Sequence, residues 1–405
     1  MTTTITEPSS RLLPDPEPRP VAFTLISVDD HLVEPGDMFN DRLPKRFQER
    51  APRIMRQADG TEPWLYDGVL LPQTGSNAVV GQARDTDMSE PVSFADMRPG
   101  CYDVHERIRD MDINGLWASV NFPSFVSGFC GRVFSASKDP ELGLAVTRAW
   151  NDWMFEAWHG AYPERLVPMG ITWLADPQLG AAEIRRNAAR GFTAVTLPEM
   201  PWRIGLPSLQ TGYWDPVVEA CEETGTVICL HVGSSGLDIF APDSDRGLRV
   251  ILFPISSMQA CADWVWSGVC ARYPRLKIVM AEGGIGWVPM LMDRMAYVID
   301  HAGGPSLGAQ KWREAGIEIS PTEMLKRNFY FSVLDDPTTL PLRHEIGIDH
   351  IMLETDYPHA DSTWPDSQAH FQQLLRGLPS DEVRKLTHEN AASVFRIPLP
   401  PIVKP

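Results

Sequence analysis

The chain has 405 residues, and 36 lysines and arginines against 53 aspartates and glutamates give it a formal net charge of −17. A strongly acidic chain is a poor match for nucleic acid or for an anionic membrane surface, because both call for a basic face. The sequence contains no apolar run long enough to span a bilayer, and its six cysteines form no C-x-x-C pair, which predicts a cytoplasmic protein with reduced thiols.

Residues 1–20 contain five prolines and no periodic pattern, which predicts a disordered or surface-wrapped tail ahead of a single domain at 21–405. From residue 24 onward, short apolar segments typical of buried parallel strands alternate with amphipathic segments typical of helices. The eight predicted strands lie at 24–30, 117–122, 166–173, 193–199, 227–232, 276–282, 328–333 and 350–355. The principal predicted helices lie at 104–113, 140–158, 176–189, 216–224, 256–271, 287–301 and 381–394.

Eight strand–helix units in one chain predict an α/β fold, most simply a (β/α)8 TIM barrel, with an open doubly wound sheet as the alternative. The segment from about 35 to 100 breaks the alternation and is rich in Pro, Asp and Arg. We interpret it as a long insertion after strand 1, on the face that carries barrel active sites, where it would form a lid or an oligomer contact.

Polar residues stand where the predicted strands end. Asp29 and His31 lie on strand 1, two residues apart and therefore on the same face of the strand. Both could bind one metal ion. The alternative is a helix-capping aspartate followed by a surface histidine. Glu34 lies just beyond them.

Three later strands also end at residues that can carry chemistry. His231 ends strand 5, Glu282 ends strand 6 before two glycines, and Asp356 follows strand 8. Such groups are costly to bury unless they are paired or ligate a metal. Each also has an ordinary structural interpretation, as a core histidine, a carboxylate bonded to its own turn, or a helix cap. The convergence of four strand ends at one barrel mouth favours a metal site.

Four motifs together resemble the amidohydrolase-related family, in the branch of the aminocarboxymuconate-semialdehyde and dihydroxybenzoate decarboxylases. The motifs are SVDDHLVEP at strand 1, LHVGSSG at strand 5, AEGGIGWVPMLMDRM at strand 6 and ETDYPH at strand 8. The resemblance implies a barrel with a divalent metal held by Asp29, His31, His231 and Asp356, the last also carrying a proton. The sequence departs from the family at Glu282, where relatives commonly have a histidine.

The resulting hypothesis is a metal-dependent enzyme that hydrolyses or non-oxidatively decarboxylates a small organic acid or amide. The supply of aromatic residues favours an acid that is aromatic or otherwise apolar. Its cofactor would be Zn, Mn or Fe, as one or two ions, and the carboxylate-rich donor set argues against zinc alone. Asp356, Glu282 and His231 are the predicted catalytic residues. Glu282 is also a predicted metal ligand, His301 is a candidate ligand of a second metal, and His359 and Glu34 are candidates for substrate binding.

Two alternatives stay open. One is a dinuclear iron or iron–manganese oxygenase on the same barrel, motivated by Glu282 and the additional histidines. The other is a catalytically silent subunit of an active partner. In each case a homo-oligomer is expected, with a small molecule as the ligand.

Overall fold

The computed structural model describes residues 11–72, 74, 75, 77–83, 90–236, 239–301, 312 and 314–404. All eight predicted strand segments contain strands. The strands are β1 (Ile26–His31), β2 (Arg53–Ile54), β3 (Trp64–Tyr66), β4 (Val69–Leu71), β5 (Ala118–Phe122), β6 (Leu166–Val167), β7 (Met169–Gly170), β8 (Ala194–Leu197), β9 (Val227–His231), β10 (Ile278–Ala281), β11 (Phe329–Val333) and β12 (Ile351–Leu353).

Two parallel sheets follow the order of the chain. One pairs β1, β5 and β6, and the other runs from β7 through β8, β9, β10 and β11 to β12. Only Pro168 separates β6 from β7, and proline has no backbone N–H to continue a strand ladder. The register places Ala281 of β10 beside His231 of β9, so neighbouring strands end at the same level.

The segment that follows the last strand is hydrogen-bonded to the first strand. Beyond β12, the Asp356 amide donates to the Asp29 carbonyl at 3.0 Å, and the His31 amide donates to the Tyr357 carbonyl at 2.6 Å. One buried apolar cluster takes side chains from strands of both sheets, including Val28, Val167 and Met352. The two sheets therefore share a core, and their strands end near one another.

The helices alternate with these strands and pack outside them. They are α1 (Val104–Asn114), α2 (Arg132–Ser135), α3 (Pro140–Trp153), α4 (Pro177–Arg190), α5 (Asp215–Thr224), α6 (Arg246–Ile251), α7 (Phe253–Trp266), α8 (Val269–Arg272), α9 (Val288–His301), α10 (Pro321–Asn328), α11 (Arg343–Ile346), α12 (Ser367–Leu374), α13 (Ser380–Arg384) and α14 (Asn390–Phe395). Among the described residues, no helix is both long and apolar enough to cross a membrane.

Three predicted helices are interrupted. The helix predicted at 140–158 changes to π geometry at Met154–His159, and the one at 381–394 does so at Lys385–Glu389. The helix predicted at 256–271 divides into α7 and α8 at Gly268, whose φ of 70° is left-handed. Apolar periodicity does not reveal these breaks, because a π turn or a single glycine leaves most of the apolar face intact.

The segment between β1 and α1 contains the antiparallel sheet β2–β3–β4 and short 3₁₀ turns. Residues 11–20 run along the protein surface. Leu12 bridges to Gln82, and Asp15 forms ion pairs with Arg98 and Arg109.

Candidate metal centre

The ends of the parallel strands place buried histidines and carboxylates together. His31 and His231 are the last residues of β1 and β9, and Asp29 lies two residues before His31. Donor atoms of these three residues lie within 4.8 Å of one another. His31, Asp356 and His359 form a second such group, which shares His31 with the first. The structure thus brings together side chains from opposite ends of the sequence.

The two imidazoles approach each other through their Nε2 atoms. The Nε2 atoms of His31 and His231 are 3.0 Å apart. His31 Nε2 also lies 3.6 Å from Asp29 Oδ1 and 3.5 Å from Asp356 Oδ1. On the other side, His231 Nε2 lies 3.7 Å from Asp29 Oδ2 and 3.1 Å from Glu282 Oε2. Two nitrogens and three carboxylates therefore surround one point.

Both histidines are held in the neutral form that can ligate a metal. Burial lowers the pKa of His31 well below its usual value and lowers the pKa of His231 to about 3. His231 Nδ1 lies 2.7 Å from the Val232 carbonyl, so this nitrogen carries the proton and donates it. The lone pair of His231 Nε2 is left pointing at the group.

The carboxylates need a positive partner. Both Asp29 oxygens are buried without a hydrogen-bond partner among the described residues. Burial, followed by the charges of neighbouring carboxylates, raises the pKa of Asp29, Glu282 and Asp356 well above their usual values. Unpaired buried acceptors next to neutral imidazoles fit a divalent cation, which would satisfy them at once.

A further acidic group adjoins this one. Donor atoms of Glu282, Asp356, His359 and Asp361 lie within 4.8 Å of one another. His359 Nδ1 is 2.9 Å from Asp356 Oδ1, and the His359 ring stacks on His31 at 3.9 Å. The sequence analysis missed Asp361, although its spacing of two from His359 gave a signal for it.

Two of these carboxylates have left-handed backbones, with φ of 58° at Glu282 and 52° at Asp356. The Glu282 amide donates to Ser332 Oγ and Glu354 Oε2, each at 3.1 Å. The next residue must be small, since a Cβ on Gly283 would lie 2.2 Å from Ser257 Oγ. The turn after β10 is thus fixed by its surroundings, and it aims Glu282 at His231.

Of the two adjacent aspartates on β1, only Asp29 faces the site. Asp30 Oδ1 accepts hydrogen bonds from Ser27 Oγ at 3.0 Å, Thr355 Oγ1 at 2.6 Å and the Tyr357 amide at 3.0 Å. Its other oxygen accepts from Ser119. Asp30 therefore joins β1 to the segment after β12, and its donors leave it no role at the metal.

Two residues predicted for the site lie elsewhere. Glu34 is buried, and its carboxylate accepts hydrogen bonds from the Ser124 hydroxyl and from Trp150 Nε1 at 2.9 Å. These donors hold the Glu34 carboxylate away from the metal candidates, and its role in substrate binding stays a prediction. His301 is exposed, and it bonds to the Tyr297 carbonyl of its own helix at 3.0 Å. The structure does not bring it to the other metal candidates, since α9 ends at the surface.

A cavity of about 560 Å³ opens onto the group, with His231, Glu282, His359 and Asp361 on its wall. Phe129 and Phe253 supply aromatic surface. Arg249 is the single arginine or lysine among the described residues that line it, and its guanidinium lies 4.6 Å from the Phe240 ring. No sequence pattern pointed to Arg249, because its role depends on where α6 packs.

Glu199, just beyond β8, is a further buried carboxylate near the centre. It accepts from the Gly233 amide at 2.8 Å and from Ser256 Oγ at 3.4 Å, so it supports the loop after His231. Burial raises its pKa to about 7. This residue too was missed from the sequence.

The fold and this geometry define a class: parallel α/β proteins that carry a histidine–carboxylate metal site at their strand ends. The chain belongs to the amidohydrolase family, whose model, described as "Amidohydrolase", matches residues 127–397. The family resemblance inferred from the motifs is confirmed.

Individual relatives are distant. The 2-amino-3-carboxymuconate-6-semialdehyde decarboxylase of Caenorhabditis elegans is 24% identical over 373 residues, 78% of this chain and 83% of the relative. An amidohydrolase from Mycobacterium avium subsp. paratuberculosis K-10 has a TM-score of 0.72 at 23% identity, covering 93% of this chain and 100% of that one. A 5-carboxyvanillate decarboxylase from Novosphingobium aromaticivorans DSM 12444, solved with manganese and 4-hydroxy-3-methoxy-5-nitrobenzoic acid, has a TM-score of 0.63 at 17% identity over 92% and 96%. At these identities the structures establish a shared fold.

Proposed function

We propose that this protein is a divalent-metal-dependent enzyme that removes CO₂ from a small aromatic acid without oxidation, with hydrolysis of a related acid or amide as the other reaction the site supports. The observation that carries the proposal is the convergence of Asp29, His31, His231 and Asp356 with unpartnered oxygens and facing nitrogens. The decarboxylase relatives support the choice of reaction.

Asp29, His31, His231 and Asp356 would hold the metal, with Glu282 beside them. A bound divalent ion would supply Lewis-acid polarisation of a substrate oxygen. Manganese in the related 5-carboxyvanillate decarboxylase supports a hard ion that accepts carboxylate oxygens as ligands.

The chain's own residues position the substrate and its proton. The Arg249 guanidinium would anchor an anionic group of the substrate, and Phe129 and Phe253 would enclose an aromatic ring. In decarboxylation a carbon–carbon bond breaks, CO₂ leaves, and the ring carbon takes a proton. Asp356 and His359, 2.9 Å apart, would hold that proton and deliver it.

Three features of the architecture are also proposals. We propose that the two sheets close into one (β/α)8 barrel, that residues from about 35 to 100 form an insertion on it, and that residues 21–405 are one domain with 1–20 as a surface tail. The bonds from the segment after β12 to β1 support closure.

The test is metal analysis combined with product detection. Protein prepared without added metal would be loaded with Mn, Zn or Fe and incubated with ortho-hydroxylated benzoic acids and with amides, while CO₂ and amine are measured. We expect metal-dependent CO₂ release that Asp29→Asn abolishes and that Asp176→Asn, at a helix cap outside the metal centre, leaves unchanged. Wild-type protein that binds no divalent metal would refute the proposal.

A second candidate function is a dinuclear oxygenase. The observation that favours it is the adjoining group of Glu282, Asp356, His359 and Asp361, which could hold a second ion. The same preparation distinguishes the two functions. Two irons per chain together with O₂ consumption in the presence of a reductant would indicate the oxygenase, whereas one ion and CO₂ release would indicate the decarboxylase.

A further inference from the structure

A second cavity, of about 370 Å³, lies apart from the metal centre. Its wall is mainly apolar and carries one cation, and it shares no lining residue with the cavity at the metal centre. The residues that line it are Arg132, Val133, Ser135, Ala136, Leu174, Ile204 and Leu206. Arg132 lies in α2, which follows β5, and the others come from α2, from Ala136 directly after it, and from the loops after β7 and β8.

The cation in this cavity lacks an anion. Arg132 Nε is buried with no hydrogen-bond partner, and its guanidinium forms no ion pair with any residue in the described part of the chain. By contrast, Arg148 and Arg186, on neighbouring helices, both pair with Glu183, at 3.1 Å and 2.7 Å. A buried donor without an acceptor is costly, so Arg132 is held ready for an acceptor supplied from outside.

The backbone nearby makes room for this arginine. A Cβ on Gly128, whose φ is 73°, would lie 2.6 Å from Arg132 Cγ. The arginine side chain can pack over this turn only because the residue there is glycine. The turn at Gly128 therefore determines where the Arg132 side chain lies.

We propose that this cavity is a second binding site, for a monocarboxylic acid with a compact aromatic or branched apolar body. The carboxylate would pair with the Arg132 guanidinium, and the apolar wall formed by Leu174, Ile204 and Leu206 would cover the body. Within an acidic chain, an unpaired arginine above an apolar wall selects against cations and against strongly polar ligands.

Both sides of this cavity are connected to the metal centre. Phe129, on the turn that precedes Arg132, has its ring centroid 5.2 Å from that of His231 and 5.6 Å from that of His31. On the opposite side, Met200 lies on the loop that leads to Ile204, and Ser235 lies on the loop that follows His231. The Met200 amide donates to Ser235 Oγ at 2.9 Å. A ligand that orders these loops would change metal affinity, and by linkage bound metal would change the affinity for that ligand by the same factor.

The test uses 4-fluorobenzoate as the probe, observed by ¹⁹F NMR on the full chain, metal-free and metal-loaded. We expect saturable binding that Arg132→Gln weakens at least about tenfold. Arg46→Gln is the matched control, since it also removes a cation but from an exposed pair with Glu141. Because an aromatic acid is also proposed to bind at Arg249 in the metal-centre cavity, the comparison is repeated in an Arg249→Gln background, in which binding at the second cavity should persist.

A neutral probe and a second variant complete the design. 4-Fluorobenzyl alcohol has the same shape without the charge and should bind more weakly than the acid. Leu206→Trp fills the cavity and should also block the acid, which covers the case in which Arg132→Gln does not fold. In the Arg249→Gln background, acid binding that survives both variants, or that is absent at about 10 mM, overturns the proposal. The readout is occupancy, so it stands apart from the activity proposed above.

Discussion

Glu282 and Asp356 combine two unfavourable features at the residue scale: a left-handed backbone and a buried carboxylate. A non-glycine residue in this backbone region costs on the order of 1 kcal/mol, and such strain persists where the surroundings hold it. Here the Ser332 hydroxyl and the Asp29 carbonyl bond the two strained amides. The protein thus tolerates a loss of folding stability at two residues for which a role in catalysis is proposed.

Glu282→Gln tests the carboxylate separately from the backbone. The amide is nearly isosteric, so we expect the fold to persist while turnover falls at least about a hundredfold, as for loss of a general base, with less metal retained. Activity and metal content, measured against the exposed control Glu49→Gln, check this. Activity within a few-fold of the wild type would instead assign Glu282 to supporting its own turn.

Glu199 gives a prediction about pH. Burial raises its pKa from an ordinary 4.5 to about 7, so between these values the folded chain keeps a proton that the unfolded chain releases. Stability from this group is present below pH 4.5, declines as pH rises, and is lost above about 7. Glu199→Gln should remove that decline, a difference of roughly 1–3 kcal/mol between pH 5 and 8.

Urea unfolding of wild type and Glu199→Gln at several pH values measures this difference. Glu49→Gln should follow the wild-type profile throughout. Parallel profiles for wild type and Glu199→Gln would show that Glu199 titrates normally in the folded state.

At the scale of elements, several helices begin at an aspartate that the sequence alone displays. Asp103, Asp139 and Asp176 precede α1, α3 and α4, and each carboxylate accepts two backbone amides of the first turn. In α3 and α4 a proline follows the aspartate, where its missing N–H costs nothing. These starts agree closely with the predicted ones because capping is local chemistry.

Substitutions at Asp176 measure how much one helix cap contributes to the free energy of unfolding. Its oxygen accepts from the amides of Gln178 at 2.8 Å and Leu179 at 3.1 Å. Asp176→Ala should lower the free energy of unfolding by about 1 kcal/mol, while Asp176→Asn should stay close to wild type because asparagine also caps. Chemical denaturation of the three proteins compares them, and an alanine variant as stable as wild type would exclude a contribution from the cap.

Across the whole molecule, the metal centre should link stability to metal. Without a cation, Asp29, Asp356 and Glu282 repel one another in a buried space. Chelation should therefore lower the melting temperature by several degrees, and added manganese should restore it. Calorimetry with and without chelator measures this shift. Asp29→Asn should respond less, and a wild-type melting temperature indifferent to chelator would contradict the metal assignment.

The homo-oligomer expected from the sequence stays a prediction. Around α6 and α7, Ile251 is 71% exposed, and Leu248 and Ile255 are partly exposed beside it. Apolar side chains clustered at a surface favour association. Light scattering should give a mass that is a multiple of the single-chain 45.3 kDa, and a monomer at micromolar concentration would contradict the expectation.

The sequence by itself determined the order of the elements and the strand ends that carry His31, His231, Glu282 and Asp356. These features are local: strands buried on both faces read as apolar runs, and a polar residue that ends such a run is visible without neighbours. The same motifs indicated the family, because they lie at strand ends in a fixed order along the chain.

The tertiary structure alone decided which polar groups meet. It added Asp361 and Arg249, and it left Glu34 and His301 outside the centre. Apart from the spacing of two between His359 and Asp361, spacing along the chain does not indicate these outcomes, since they depend on which strand lies beside which and on the donors already facing each carboxylate. The physical reason is that hydrogen bonds and ion pairs depend on distances of a few ångströms, and only packing sets such distances between residues hundreds of positions apart.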